Sequence, residues 1–156
     1  MGRWKTSLIA GFCLMLLPAA IGAPAGNDLA IVVHEDVPST GISSSELRQL
    51  LFADRLFWSP KLRVTILIPA GRERAVLLNT VYHMTDAQFR QFWIARIFRA
   101  ETSVGPKIVY TDDMALELVN AIPGALAVID AAHVPSHLKV LRVDGRLPGD
   151  KGYPLH

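Results

Sequence analysis

The chain has a single cysteine, Cys13, and it falls inside an apolar N-terminal stretch. Whatever folds downstream has no thiol, which excludes disulfides, thiolate catalysis and cysteine-held metal. Long apolar runs are also missing. Leu8–Leu17 falls well short of the ~20 residues that a spanning helix needs. A Gly-rich phosphate or dinucleotide loop and a Gly-x-Ser-x-Gly nucleophile turn are absent too, so the sequence offers no signature of nucleotide chemistry or serine hydrolysis. Nor is there an excess of one charge sign where it would matter. The whole chain carries 16 basic and 14 acidic residues, but residues 1–25 hold Arg3 and Lys5 and no acid, leaving 14 against 14. A neutral domain without a basic, aromatic-laced stripe has no field for nucleic acid, so an anion site must be local.

The N-terminus has the order of a secretory signal: Arg3 and Lys5, the apolar run Leu8–Leu17, then Pro18 and small residues. Cleavage is expected after Gly22, with Ala25 as the alternative, and the product is expected to be periplasmic or secreted. Phe12 before Cys13 does not suit a lipoprotein signal. Residues 27–147 are then expected to form one domain, with 148–156 as a C-terminal tail, a length sufficient for one core.

The continuous apolar run Leu29–His34 reads as a buried strand, expected to be parallel to its neighbours. Ser43 and Glu46 form a capping-box pattern opening a helix Ser44–Phe52 whose buried face is Leu47, Leu50 and Leu51. Leu62–Ile68 alternates as a strand ending at Pro69-Ala70-Gly71, and a helix is expected over 72–82. Thr85 and Gln88 open another helix to about Phe98, with Phe89, Phe92, Trp93 and Ile97 at helical spacing as core. A strand Lys107–Tyr110, a helix Asp112–Asn120 stopped by Ile122-Pro123-Gly124, a strand Leu126–Asp130 and a last strand Val140–Val143 complete the pattern. Strands alternating with helices predict an α/β fold with a largely parallel sheet.

Three segments in order resemble the second lobe of the periplasmic phosphate-binding proteins of ABC transporters. They are Ser45-Glu46-Leu47-Arg48-Gln49-Leu50-Leu51-Phe52 with Trp58, then Val119 to Val128 around Pro123-Gly124, and then Leu138 to Gly145 with Pro148 and Tyr153-Pro154-Leu155. The resemblance implies a single three-layer lobe, like one lobe of a type II periplasmic binding protein, with no enzymatic activity and no cofactor. It implies a small oxyanion such as phosphate as ligand and an ABC transporter permease or a sensor protein as partner. Full members close two lobes on the anion, whereas this chain resembles one. Where the family places a Ser-Gly-Thr-Arg sequence between strand and helix, this chain reads Gly71-Arg72-Glu73-Arg74, with Gly71 opposite the serine and Arg74 opposite the arginine. The hydroxyl is therefore missing, and the family's glycine and tyrosine after Pro123-Gly124 are replaced by Ala127 and Val128.

Gly71, Arg72 and Arg74 are the candidate anion-binding residues. A strand-to-helix turn presents free backbone N–H groups, Gly71 lets an anion approach them, and an arginine forks onto an oxyanion through two charge-assisted bonds. The plainer reading is a solvated helix start in which Glu73 pairs with the arginines. A concave basic pocket near Gly71 would favour a small-molecule binder, and an exposed apolar patch a protein-interaction module that has lost anion binding. His133 and His137 lie four apart, but Pro135 between them and the lack of a matched carboxylate argue against a metal site. His34-Glu35-Asp36 follows the first strand, where α/β proteins place functional loops, without a nucleophile beside it.

Overall fold

The computed structural model describes residues 26–156. The signal-peptide reading and both cleavage positions lie outside the described residues. Five strands form the main sheet: β1 (Leu29–Val33), β5 (Thr65–Pro69), β6 (Lys107–Val109), β7 (Ala125–Asp130) and β8 (Lys139–Val140), in the order β6-β5-β7-β1-β8. Two two-stranded pieces flank it, β3 (Phe57–Ser59) with β4 (Leu62–Arg63), and β2 (Gly41–Ile42) with β9 (Arg142–Val143). The helices are α1 (Ser44–Leu51), α2 (Arg72–Leu77), α3 (Asp86–Phe98) and α4 (Asp112–Ala121).

The sheet is largely parallel, as expected, since β5 runs parallel to β6 and to β7. The first strand is a correction. β1 is buried along its whole length, but it pairs antiparallel with both β7 and β8. A strand enclosed on two sides and covered on both faces is apolar throughout in either direction, so the run of Leu, Ala, Ile and Val reports burial and not orientation.

Alternation along the strands separates two cores. Leu29, Ile31, Val33, Ile66, Ile68, Leu126 and Val128 pack with residues of α1, α2 and α3. Ala30, Val32, Leu67, Ala125, Ala127 and Ile129 face Ala115 and Val119 of α4. The result is the expected three layers, with small side chains on the α4 face where helix and sheet pack.

Both predicted capping boxes form. Glu46 N–H donates to Ser43 Oγ (3.2 Å) while Ser43 N–H donates to Glu46 Oε2 (2.9 Å), and likewise Gln88 N–H donates to Thr85 Oγ1 (3.2 Å) while Thr85 N–H donates to Gln88 Oε1 (2.8 Å). A third cap, Thr111 accepting from Met114 N–H at 3.1 Å, was not expected. Leu47, Leu50 and Leu51 are buried as read. On α3 Phe89 and Trp93 are buried and Phe92 packs against them, while Ile97 stays exposed. The helix begun at Arg72 widens into a π-helix over Leu78–Tyr82 and stops at His83, which is left-handed at φ 52°. The strand 62–68 breaks at Val64, and 140–143 breaks at Leu141, where the chain leaves β1 to pair with β2. Residues 148–156 contribute Tyr153 and Leu155 to the larger core.

Asp144, in the turn after β9, anchors the first turn of α1 by accepting from Ser44 N–H at 2.9 Å and from the Ser44 hydroxyl. These bonds, the hydroxyl's first, hold its carboxyl below the usual range. A depressed folded pKa adds stability above the unfolded value of about 3.9, lost as pH falls through the folded one. Asp144→Ala is therefore expected to lower the thermal midpoint by a few degrees at neutral pH. The difference from wild type should vanish in strong acid, and melting curves at both pH values check it.

Candidate functional site

Because β5, β6 and β7 are parallel, Pro69, Val109 and Asp130 end at one edge of the sheet, and α2 and α4 begin there. β1 starts at the same edge, with Leu29 opposite Asp130, and its N–H donates to the Leu155 carbonyl at 2.8 Å. The carboxyl ends of parallel strands are the usual ligand edge of open α/β sheets.

Gly71 caps α2 with φ +75°, and an added Cβ there would meet only Glu73 Oε2, at 3.8 Å. The turn is open to solvent, and its backbone favours glycine. Arg72 is half-exposed and lies at the edge. Its Nη2 donates to Asp130 Oδ2 at 2.6 Å and approaches Glu73 Oε1 at 3.3 Å, while Nη1 reaches Asn27 Oδ1 at 3.5 Å. Asp130 itself is nearly buried and also accepts from Ala132 N–H at 2.9 Å.

Arg74 goes elsewhere. Its Nε donates to Asp86 Oδ1 at 2.7 Å and its guanidinium lies 4.8 Å from the Phe89 ring centroid, so it secures the start of α3. The structure thus brings Gly71 and Arg72 together at the sheet edge and places Arg74 outside that group. Alternate helical positions two apart face different ways, which a linear four-residue motif does not display.

Beside Gly71 a cavity of about 190 Å³ is lined by Pro69, Glu73, Tyr110, Thr111 and Asp112. Its charged walls are carboxylates, and Asp112 is paired with His133 Nδ1 at 2.5 Å. The concavity near Gly71 is acidic, and the cation stands at its margin. Asp130 and Asp112 are the participants that sequence reasoning missed, and His133, weighed there only as a metal ligand, is the partner of Asp112. One signal pointed to Asp130: it is the only charged residue of an otherwise apolar strand, placed at its carboxyl end.

Among the described residues no three His, Cys, Asp or Glu side chains gather closely enough to hold a metal ion. His133 and His137 are separated by the end of a 3-10 turn, and His137 lines a different cavity with His34. His34 Nδ1 accepts from Asp36 N–H at 3.1 Å. The reversal of β1 carries that loop to the end of the sheet opposite Gly71. No helix among the described residues is long and apolar enough to cross a membrane.

No family model matches the chain, and no curated protein matches it. Solved structures do match. A protein described as a phosphate ABC transporter substrate-binding protein with bound phosphate, from Clostridium perfringens, superposes with a TM-score of 0.61 at 13% identity over 78% of this chain and 46% of that one. An ABC-type phosphate transport receptor from Vibrio cholerae gives 0.60 at 16% identity, covering 78% and 48%. PstS from Borrelia burgdorferi gives 0.60 at 14%, covering 78% and 49%. The chain therefore spans about half the length of the structures it matches. At these identities the likeness is one of fold: this chain has the phosphate-binding-protein-like fold, in the extent of a single lobe.

Proposed function

We propose that this chain is a secreted or periplasmic, non-catalytic binding protein of the phosphate-receptor type, with residues 27–147 as its working domain, 148–156 as a C-terminal tail, and a small oxyanion, phosphate foremost, as its ligand. The observation that carries the reading is the superposition of three phosphate receptors on 78% of the chain, one of them with phosphate bound. Gly71 and Arg72 are the residues assigned to the anion, at the sheet edge where an open turn meets a half-exposed guanidinium. Arg72 has donors beyond those taken by Asp130, so an oxyanion would share the guanidinium with it. Uptake or sensing through an ABC transporter permease or a sensor protein is the role this implies.

A second reading has its own observation. Ile94, Ile97 and Phe98 on α3 and the nearby Val104 are exposed, Phe98 at 89%, while carboxylates occupy both arginines of the Gly71 motif. An exposed apolar patch, together with arginines already neutralised, suits a protein-interaction module that keeps the lobe as a scaffold.

Calorimetric titration of the secreted form with phosphate and sulfate at low salt separates the two. Saturable heat is expected with phosphate. Arg72→Ala should weaken it by at least tenfold, as loss of a charge-assisted bond worth about 1.5–3 kcal/mol requires. Asp130→Asn should strengthen it by removing the internal competitor, and Arg74→Ala should leave it unchanged. Absence of heat with every oxyanion would sink the anion reading and leave the interaction module.

A further inference from the structure

At the opposite end of the sheet, where β5 and β6 begin, a second cavity of about 100 Å³ lies between the β3–β4 hairpin region and the segment linking α3 to β6. Its volume is well above the ~15 Å³ that one water needs and well below the ~300 Å³ of pockets for drug-sized ligands. Three cations line it, Arg55, Arg63 and Lys107, and no carboxylate does. In a domain with equal numbers of acids and bases this is a local surplus, and it inverts the cavity beside Gly71.

Neutral oxygens bond to both arginines. Arg55 Nε donates to the Phe57 carbonyl at 3.1 Å and Nη2 to that of Trp58 at 3.4 Å. Arg63 Nη2 donates to the Ser103 hydroxyl at 3.0 Å. Carbonyl and hydroxyl oxygens orient a guanidinium without cancelling its charge. Among the described residues Arg63 and Lys107 have no ion-pair partner, while Arg55 is paired with Glu46, whose carboxylate stands 3.7 Å from its Nη1. By contrast Arg72, Arg74, Arg90, Arg96 and Arg99 are each paired with a carboxylate. The other walls are mainly apolar, from Leu56, Val64, Ile66 and Val104.

We infer that this cavity is a binding site for a small organic anion, a short-chain carboxylate whose head meets Arg55, Arg63 and Lys107 and whose aliphatic body lies on Val64, Ile66 and Val104. A fully hydrated inorganic oxyanion has no apolar surface to set against those walls and would lose solvation there, whereas a carboxylate with a few methylenes satisfies both kinds of lining. The site is separate from Gly71 and Arg72 and does not depend on what binds there.

Titration of isotope-labelled protein with sodium butyrate, followed by amide chemical shifts, tests it. Saturable shifts are expected at Thr65, Ile66, Gly105 and Lys107, with half-saturation rising as salt is added. Lys107→Gln and Arg63→Gln should each weaken binding about fivefold or more, and Arg72→Ala should leave it unaltered. Absence of saturation at these amides would overturn the site, as would unchanged affinity in both variants when their spectra show an intact fold. Inorganic phosphate saturating the same amides more tightly than butyrate would overturn the carboxylate assignment.

Discussion

Gly124→Ala is expected to remove about 3–5 kcal/mol of stability, a large part of the 5–15 kcal/mol that holds a typical domain folded. Gly124 has φ +74°, a conformation that costs an L-residue about 1–2 kcal/mol. The steric conflict is worse. An added Cβ would stand 2.2 Å from the Arg63 carbonyl oxygen and 3.2 Å from its carbon, and these are backbone atoms that cannot swing aside. Relief requires moving the β4–β5 segment away from β7. That movement breaks two bonds to the Gly124 carbonyl, from Trp58 Nε1 at 2.9 Å and from Thr65 N–H at 3.2 Å. Urea denaturation measures the loss directly. A change below about 1 kcal/mol would mean that the close approach is not a fixed feature of the fold.

Alkali is expected to destabilise the protein steeply through two buried phenols. Tyr82 donates its hydroxyl to the Leu51 carbonyl at 2.6 Å, and Tyr153 donates to that of Leu29 at 2.7 Å. Burial is the main force raising both phenol pKa values above the ordinary one, with Asp28 adding to it at Tyr153. For a raised folded pKa the stabilisation is complete below the unfolded value of about 10 and is lost as pH climbs above it, because only the unfolded chain releases the protons. Each tyrosine adds a slope of about 1.4 kcal/mol per pH unit, so two give about 2.8 kcal/mol per pH unit between roughly pH 10 and 12. Tyr82→Phe should halve that slope. Urea midpoints across this range that stayed level would show that the two hydroxyls are not held as described.

The α/β class, the capped helix starts and most of the buried residues could be read from the sequence because each rests on neighbours in the chain. Ser43 with Glu46 and Thr85 with Gln88 satisfy their own backbone locally, and Leu47, Leu50 and Leu51 declare a helix face by spacing alone. What depended on distant pairing was not legible. The direction of β1 is fixed by residues 125–130 and 139–140, and the breaks at Val64 and Leu141 mark changes of partner with no local signal. The site divided in the same way. Gly71 announced a turn, but which way Arg72 and Arg74 point is decided by Asp130 and Asp86, which lie 58 and 12 positions away. The basic cavity assembles Arg55, Arg63 and Lys107 from three separate segments, so nothing in the linear order marks it.

The enclosure of β1 bears on when the protein can fold. Its partners come from residues 125–130 and 139–140, and its first residue is held at both polar atoms by Leu155 and Tyr153. The second strand of the polypeptide's main sheet to be made, β5, already depends on β7. Closing loops of this length precedes any reward from the contacts they allow, which makes such topologies slow to form. A chain lacking residues 137–156 has β1 with one flank unfilled, and so stays open. If the chain is exported as proposed, late closure would keep it threadable until residues 139–155 are in place.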